Sequence, residues 1–255
     1  MGTWVSHLRI AENLLSVMPG LDEEAFTFGN LAPDSGVPNA DWTVFDPPKE
    51  VTHFLLPNED EGRIKDLEFY RLYLAGLVPD HNAARYSFVL GYFFHLLCDN
   101  LWFHLIVRSS KSAFPALFAR RGREAWSDLK DDWYGQDQCY VRDHPESLFW
   151  RVLMRAPNPP AYLPFVPEAA LNQQLDYIRK FYSEPDSAWV LDRAYPYLNK
   201  ATMTRYVSDS TQAVLAIHDR LRNDPAPAGA HTALALLSKQ AISPYDLPLG
   251  DVVEA

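Results

Sequence analysis

The segment 86–107 constrains the fold most, because it is almost continuously apolar and is long enough to cross a membrane as a helix. It nevertheless contains His95, Asp99 and His104. A buried, ionised carboxylate costs several kcal/mol unless a partner or a metal ion compensates its charge. Because of these ionisable residues and the many Tyr and Trp side chains, we expect the central helix of a soluble bundle and no transmembrane segment.

The composition of the chain limits the class of its partners. Of 255 residues, 47% are hydrophobic, which allows a substantial core, and 33 acidic against 23 basic residues give a formal net charge of −10. Such a chain lacks the positive field that binds phosphate backbones, so we expect no general nucleic-acid binding. Polar and charged residues interrupt the amino-terminal segment, which disfavours a signal peptide and predicts a cytoplasmic protein. The oligomeric state is left open.

Helical periodicity predicts the fold class. Apolar residues repeat at helical spacing along nearly the whole chain, and no segment shows the sustained alternation of a half-buried strand. The sequence therefore predicts one all-α domain, a multi-helix bundle over 1–242, followed by a C-terminal tail over 243–255. The proline-rich segment 31–61 is predicted to be a long ordered loop. Asp143 is predicted to cap a helix that starts at 144. The predicted helices cover 6–17, 22–29, 64–75, 82–108, 115–134, 144–155, 167–183 and 202–222.

His95 and Asp99 form a candidate metal-binding pair. Helical residues four positions apart lie one turn along the axis and roughly 40° around it, so both side chains can reach one ion. A hydrogen-bonded pair in the core is the alternative. His7 near the start of the first helix, Asp34 after a proline and His53 in the long loop are further candidates. Their ordinary alternatives are a helix-end histidine, a turn residue and a surface histidine.

Four stretches of the sequence together resemble a known family. WVSHLRIAENLL, FTFGNLAPDSG, THF and LGYFFHLLCDNLWFH resemble the zinc-dependent phospholipase C family, whose all-helical fold is shared with single-strand nucleases. The resemblance extends over residues 4–104. It implies that Asp34, His53, His95 and Asp99 hold one zinc ion, with Asp99 shared toward His7. Imidazole nitrogens and carboxylate oxygens are suitable ligands for zinc.

The resemblance also implies an activity. It indicates a phospholipase C-like, metal-dependent hydrolase of phosphate esters, a phosphodiesterase with one to three Zn²⁺ ions and a small-molecule or lipid phosphoester substrate. In the implied mechanism a zinc-bound hydroxide attacks phosphorus, with Asp34 as the candidate catalytic base. Trp42, Phe45 and Phe54 are candidates for the floor of the substrate pocket. The alternative is a recruited member of the same fold, acting as a non-hydrolytic enzyme or as a small-molecule-binding protein with an incomplete metal site.

A further zinc site is implied less completely. The family places a histidine after the helical pair and two ligands four positions apart on the next helix, for which His104, Asp128 and Asp132 are the candidates in this chain. His104 lies about 140° around an ideal helix from Asp99, so the helix must end or bend before it. The usual His/Glu pair is Asp/Asp here, which suits a harder metal or leaves the site incomplete. A solvated acidic helix face is the alternative for the two aspartates.

Overall fold

Helices make up nearly all the regular structure in the computed structural model, which describes residues 1–41, 43–55, 64–79, 82–186, 189–224 and 226–247. The α-helices within these ranges are α1 Trp4–Val17, α2 Glu23–Gly29, α3 Lys49–Thr52, α4 Asp66–Phe69, α5 Ala83–Trp102, α6 Arg108–Ala113, α7 Pro115–Arg121, α8 Ala125–Asp143, α9 Glu168–Ser183 and α10 Lys200–Asn223. Strands β1 Val37–Pro38 and β2 Phe45–Asp46 pair antiparallel as a two-residue hairpin. The all-α fold class predicted from the sequence is confirmed.

Helix α5 is the central helix of the bundle. All its residues from Ser87 to Trp102 are buried, which explains why its sequence is apolar around the whole circumference. A π-helical turn, Phe103–Val107, joins α5 to α6. The continuous stretch Ala83–Ala113 is apolar and long enough to cross a membrane, but 89% of its most apolar window is buried inside the protein. Burial by other helices of the same chain is typical of a core helix.

Two glycines bring α2 against α5. A Cβ on Gly29 would overlap the carbonyl oxygen of Phe88, and a Cβ on Gly91 would lie 2.5 Å from the carbonyl oxygen of Phe26. Any larger residue at either position would force the two helices apart. The close approach matters for the candidate site, because the turn that follows α2 thereby reaches the buried face of α5.

The described part of the segment between α2 and α4 contains short regular elements. It contains a 3₁₀ turn, Ala32–Asp34, then the hairpin, then α3. Another 3₁₀ turn, Ala233–Leu236, follows α10. Hydrogen bonds to the buried carboxylate of Asp66 hold this turn against the core: Asp66 accepts from Asn100, from the Thr232 hydroxyl and from the backbone N–H of Ala233. The domain boundary at 242 stays a prediction, and residues 248–255 of the predicted tail lie outside the described residues.

The predicted helix boundaries are wrong between 115 and 155. Gly122, with φ +55°, ends α7, and α8 then continues to Asp143 instead of stopping at 134. Asp143 therefore closes a helix and does not cap a new one, and within 144–155 the described regular structure is one π-helical turn, Phe149–Leu153. The apolar pattern predicted too early an end for α8, because the buried face of this helix beyond Tyr134 is formed largely by polar residues: Gln136, Asp137 and Gln138.

Candidate metal centre

Four elements bring five predicted ligands to one buried point. His7 comes from α1, Asp34 from the 3₁₀ turn after α2, His53 directly follows α3, and His95 and Asp99 come from α5. Asp99 lies at the centre of this cluster, which we call the Asp99 cluster. Its Oδ1 is 3.3 Å from His7 Nε2, while its Oδ2 is 3.5 Å from His53 Nε2 and 3.4 Å from His95 Nε2. Asp34 Oδ1 lies 3.4 Å from His53 Nε2.

Backbone and hydroxyl groups orient two of the imidazoles. His95 Nδ1 lies 2.8 Å from the carbonyl oxygen of Asn30, which can only accept, so this nitrogen carries the proton and Nε2 presents a lone pair to the cluster. His53 Nδ1 lies 3.0 Å from the Thr52 hydroxyl. The hydroxyl of Tyr92, on α5, donates to the Thr52 carbonyl at 2.5 Å and holds this turn in place. Sequence reasoning missed Asn30 and Thr52, although each stands in or beside a stretch that carried the family resemblance.

Several buried polar atoms of the Asp99 cluster have no hydrogen-bond partner among the residues that the structure describes. They are both ring nitrogens of His7, Nε2 of His53, Nε2 of His95 and Oδ2 of Asp99. Leaving one buried donor or acceptor unsatisfied costs about 1–3 kcal/mol, so several at one point need a common explanation. A cation bound among the lone pairs would satisfy most of them at once, and the donor set of imidazole nitrogens and carboxylate oxygens fits Zn²⁺.

The candidate ligand atoms fall into two groups that share His95. Ligand atoms lie within 4.8 Å of one another in two groups of described residues: His7, His95 and Asp99, and Asp34, His53 and His95. His95 belongs to both groups but has only Nε2 to offer. Oδ2 of Asp99 lies near Nε2 of both His53 and His95, and Oδ1 lies near Nε2 of His7, so Asp99 contacts residues of both groups. The backbone N–H of Gly2 already donates to this Oδ1 at 2.6 Å.

The pKa shifts favour the metal-binding form of every residue in the Asp99 cluster except His95, which must release a proton from Nε2 before that nitrogen can bind an ion. Burial, followed by the charge of the nearby His95, lowers the pKa of His7 to about 4. Burial likewise lowers the pKa of His53. Burial opposes ionisation of Asp34 and Asp99, but the facing imidazoles outweigh it and hold the pKa of both carboxyl groups below the usual range. Burial also acts to lower the pKa of His95, yet the Asp99 carboxylate reverses this effect and raises it.

A cavity of about 420 Å³ opens beside the Asp99 cluster. Asp34 is the one cluster residue in its lining, and aromatic side chains that include Trp4 and Phe45 form much of the wall. Phe45 thus lies where the pocket prediction placed it. Phe54 does not line this cavity and packs instead between aromatic rings of the core, with the ring of Phe69 5.5 Å away. Trp42 lies outside the described residues.

The three candidates for a further zinc site do not join the Asp99 cluster. Asp132 accepts hydrogen bonds from Arg193 at 2.7 Å and from the backbone N–H groups of Tyr197 and Leu198. The side chain of Asp128 pairs with Arg121 at 2.9 Å. His104, in the π-helical turn after α5, lies 3.3 Å from Arg108 through Nδ1. Each of the three candidates thus contacts an arginine side chain. Metal ligation by these residues stays a prediction.

Comparison with known proteins gives one match. The model of a family described as zinc dependent phospholipase C matches residues 6–138, which is more than half of the 255-residue chain. The matched range contains every residue of the Asp99 cluster. Searches of curated proteins and of solved structures found no significant match.

Proposed function

The chain belongs to the zinc-dependent phospholipase C family, and from that premise we propose that it hydrolyses phosphate esters with zinc bound at the Asp99 cluster. The observation that carries this proposal is the set of unpartnered, buried nitrogen and carboxylate atoms directly beside an open cavity. A structural core satisfies its buried polar atoms with well-formed hydrogen bonds, whereas these carboxylate oxygens and imidazole nitrogens approach one another only to 3.3–3.5 Å. We propose a small-molecule or lipid phosphoester as the substrate.

Each ligand has a definable task in this proposal. Asp34, His53, His95 and Asp99 would hold the ion, which when bound supplies a Lewis acid for the phosphoryl group. The Asn30 carbonyl fixes the His95 ring by accepting its Nδ1–H, so the ring cannot turn away. The aromatic wall of the cavity excludes water from the organic part of the substrate.

Asp34 is the proposed general base. Its side chain is 11% exposed, while the side chain of Asp99 is fully buried, so Asp34 alone in the cluster can meet a water molecule in the cavity. The pKa of Asp34 is held below its usual range, which keeps the carboxylate ionised at neutral pH, as a base must be, but makes it a weaker proton acceptor than an ordinary carboxylate. In the reaction, the oxygen of water bonds to phosphorus as one of its protons passes to Asp34, and the P–O ester bond breaks. The leaving alkoxide then takes up the proton from Asp34, which returns the carboxylate to its ionised form.

The test combines elemental analysis with hydrolysis assays. Protein purified without added metal should contain zinc, and it should hydrolyse members of a panel of chromogenic phosphomonoesters and phosphodiesters. Removal of the metal by chelation should abolish hydrolysis, and added zinc should restore it. A protein that binds zinc at these residues and hydrolyses no ester on a broad panel would overturn the hydrolase proposal.

The recruited, non-hydrolytic member of the fold is the second candidate. One observation favours it: the backbone N–H of Gly2 donates to Oδ1 of Asp99, and Arg193 donates to Asp132. These carboxylate oxygens are candidate ligands for additional ions, but they already accept hydrogen bonds from the protein. Two-metal hydrolysis needs ions on both the attacking and the leaving oxygen. A stoichiometry of one tightly bound zinc without hydrolysis would support this second candidate.

A further inference from the structure

The cavity beside the Asp99 cluster has a charge pattern that the family assignment does not explain. Two lysines, Lys49 at the start of α3 and Lys130 on α8, line it together with Asp34 and the aromatic wall. They approach from different elements and face the same space. The cavity therefore contains two positive side chains beside a proposed catalytic carboxylate. These charges bear on whether the cavity prefers an anionic or a cationic ligand.

No carboxylate among the described residues neutralises either lysine. Within the described part of the chain, neither ammonium group takes part in an ion pair, whereas Lys65 outside the cavity contacts Glu68 at 2.6 Å. Lys130 is accessible to solvent, but partial burial and the nearby charge of Lys49 lower its pKa. Lys49 also helps to hold the pKa of Asp34 low. The two ammonium groups therefore act on one another and on the cavity.

The aromatic wall raises an alternative, because Trp, Tyr and Phe rings commonly enclose quaternary ammonium groups. Here the ammonium of Lys49 already lies 5.0 Å from the centroid of the Phe45 ring. A cationic headgroup in the cavity would meet two like charges, and repulsion between like charges in a partly desolvated space opposes binding. The observations favour an anionic occupant.

We propose that Lys49 and Lys130 select phosphoesters whose headgroup carries a further negative charge and disfavour those with a quaternary ammonium headgroup. This inference rests on the proposed function, because it assigns the substrate class of the same cavity. The lysines bind the charge at the distal end of the headgroup, and the Asp99 cluster is reserved for the scissile phosphate. Selection by charge at a cavity mouth weakens as salt screens it.

The test compares two small phosphate compounds that differ at the distal end: 2-phosphoglycolate, which ends in a carboxylate, and phosphorylcholine, which ends in a quaternary ammonium. Trp4 and Trp126 line the cavity, so quenching of tryptophan fluorescence reports occupancy. Wild-type protein, zinc-loaded and chelated, is titrated with each compound at low and at high salt. We expect tighter binding of 2-phosphoglycolate in both forms and a smaller preference at high salt.

Variants assign the preference to residues. Lys49→Gln and Lys130→Gln should each reduce the preference for 2-phosphoglycolate about threefold to fivefold, as expected for a solvent-accessible ion pair, and the double variant should nearly abolish it. Lys65→Gln is the matched control and should leave the preference unchanged. Equal or tighter binding of phosphorylcholine by the wild type, a preference that survives the double variant, or no binding of either compound would each overturn the inference. Charge selection without hydrolysis of any ester would instead overturn the proposed function alone.

Discussion

The Asp99 cluster and the acidic face of α8 contain the same sequence signal but have opposite surroundings. Both present ionisable residues four positions apart on a helix: His95 with Asp99, and Asp128 with Asp132. Within the described residues, the Nε2 atoms of the three histidines and Oδ2 of Asp99 have no hydrogen-bond partner in the first region. In the second region an arginine and two backbone N–H groups satisfy Asp132. Ligand spacing shows which atoms can meet, and hydrogen bonding shows which of them still have a lone pair to offer a metal.

The largest effect is expected for Asp99→Asn. Asn keeps the shape of the side chain but removes the charge that contacts His7, His53 and His95 together. Zinc content should fall to near zero, and hydrolysis should be lost with it. Elemental analysis and the ester panel measure both quantities on the same preparation. Retention of zinc by a folded Asp99→Asn protein would mean that the cluster does not bind metal through Asp99.

Asp34→Asn should separate chemistry from binding. If Asp34 acts mainly as a base, hydrolysis should drop by about 10²- to 10⁴-fold while much of the zinc stays bound, because three other ligands remain. Zinc content and turnover are compared with those of Asp99→Asn. A parallel loss of zinc and activity would instead make Asp34 chiefly a ligand.

Asp137 is a third carboxylate to compare with Asp99 and Asp132. It lies on α8 and is buried, and it forms no ion pair with a described residue. It accepts hydrogen bonds from the hydroxyls of Thr3 and Tyr182, and burial raises its pKa to about 7. Between about pH 4 and 7 the folded state therefore keeps a proton that the unfolded chain releases. The unfolding free energy of the wild type, relative to Asp137→Asn, should decrease with rising pH by up to about 1.4 kcal/mol for each pH unit in this window.

Denaturant titrations of the two proteins across this range of pH measure the difference. Effects of pH on the Asp99 cluster are common to both proteins and cancel when one free energy is subtracted from the other. A constant difference between pH 4 and 7 would contradict the raised pKa.

Asp132→Asn should change stability alone. The substitution weakens the contact with Arg193 and the hydrogen bonds to two backbone N–H groups, so we expect a loss of about 1–3 kcal/mol in unfolding free energy with zinc content unchanged. Asp128→Asn is the matched control, because its solvent-accessible ion pair with Arg121 is worth about 0–1 kcal/mol. Reduced zinc in Asp132→Asn would show that the acidic face of α8 binds metal after all.

Much of the fold and of the candidate site was predictable from the sequence, for identifiable reasons. Burial on every side of α5 leaves a continuous apolar run, and charged groups inside such a run are conspicuous. The convergence of residues as distant as His7 and His95 came instead from the family resemblance, since periodicity cannot join separate elements. What the sequence could not reveal was hydrogen bonding between distant residues, such as that of Arg193 with Asp132.

The polar face of α8 shows the other limit. Hydrophobic periodicity detects a helix only where its inner face is apolar, and it failed where Asp137 and its neighbours occupy that face. Their burial is stabilised by partners such as Thr3 and Tyr182, which lie far away in the sequence. Lys49 and Lys130, which line the cavity, were missed for a related reason: nothing in the sequence marks which lysines share a cavity.

The hydrogen bonds that Asp66 accepts from Thr232 and Ala233 have a consequence for folding during protein synthesis. All residues of the Asp99 cluster have been synthesised once the chain reaches residue 99. Asp66 can accept hydrogen bonds from Thr232 and Ala233 only after some 166 further residues have been added. Until then Asp66 lacks two of the hydrogen-bond donors that it has in the complete fold, where burial raises its pKa to about 6. The turn Ala233–Leu236 therefore docks on the core only after residue 233 has been synthesised, long after the last ligand of the Asp99 cluster.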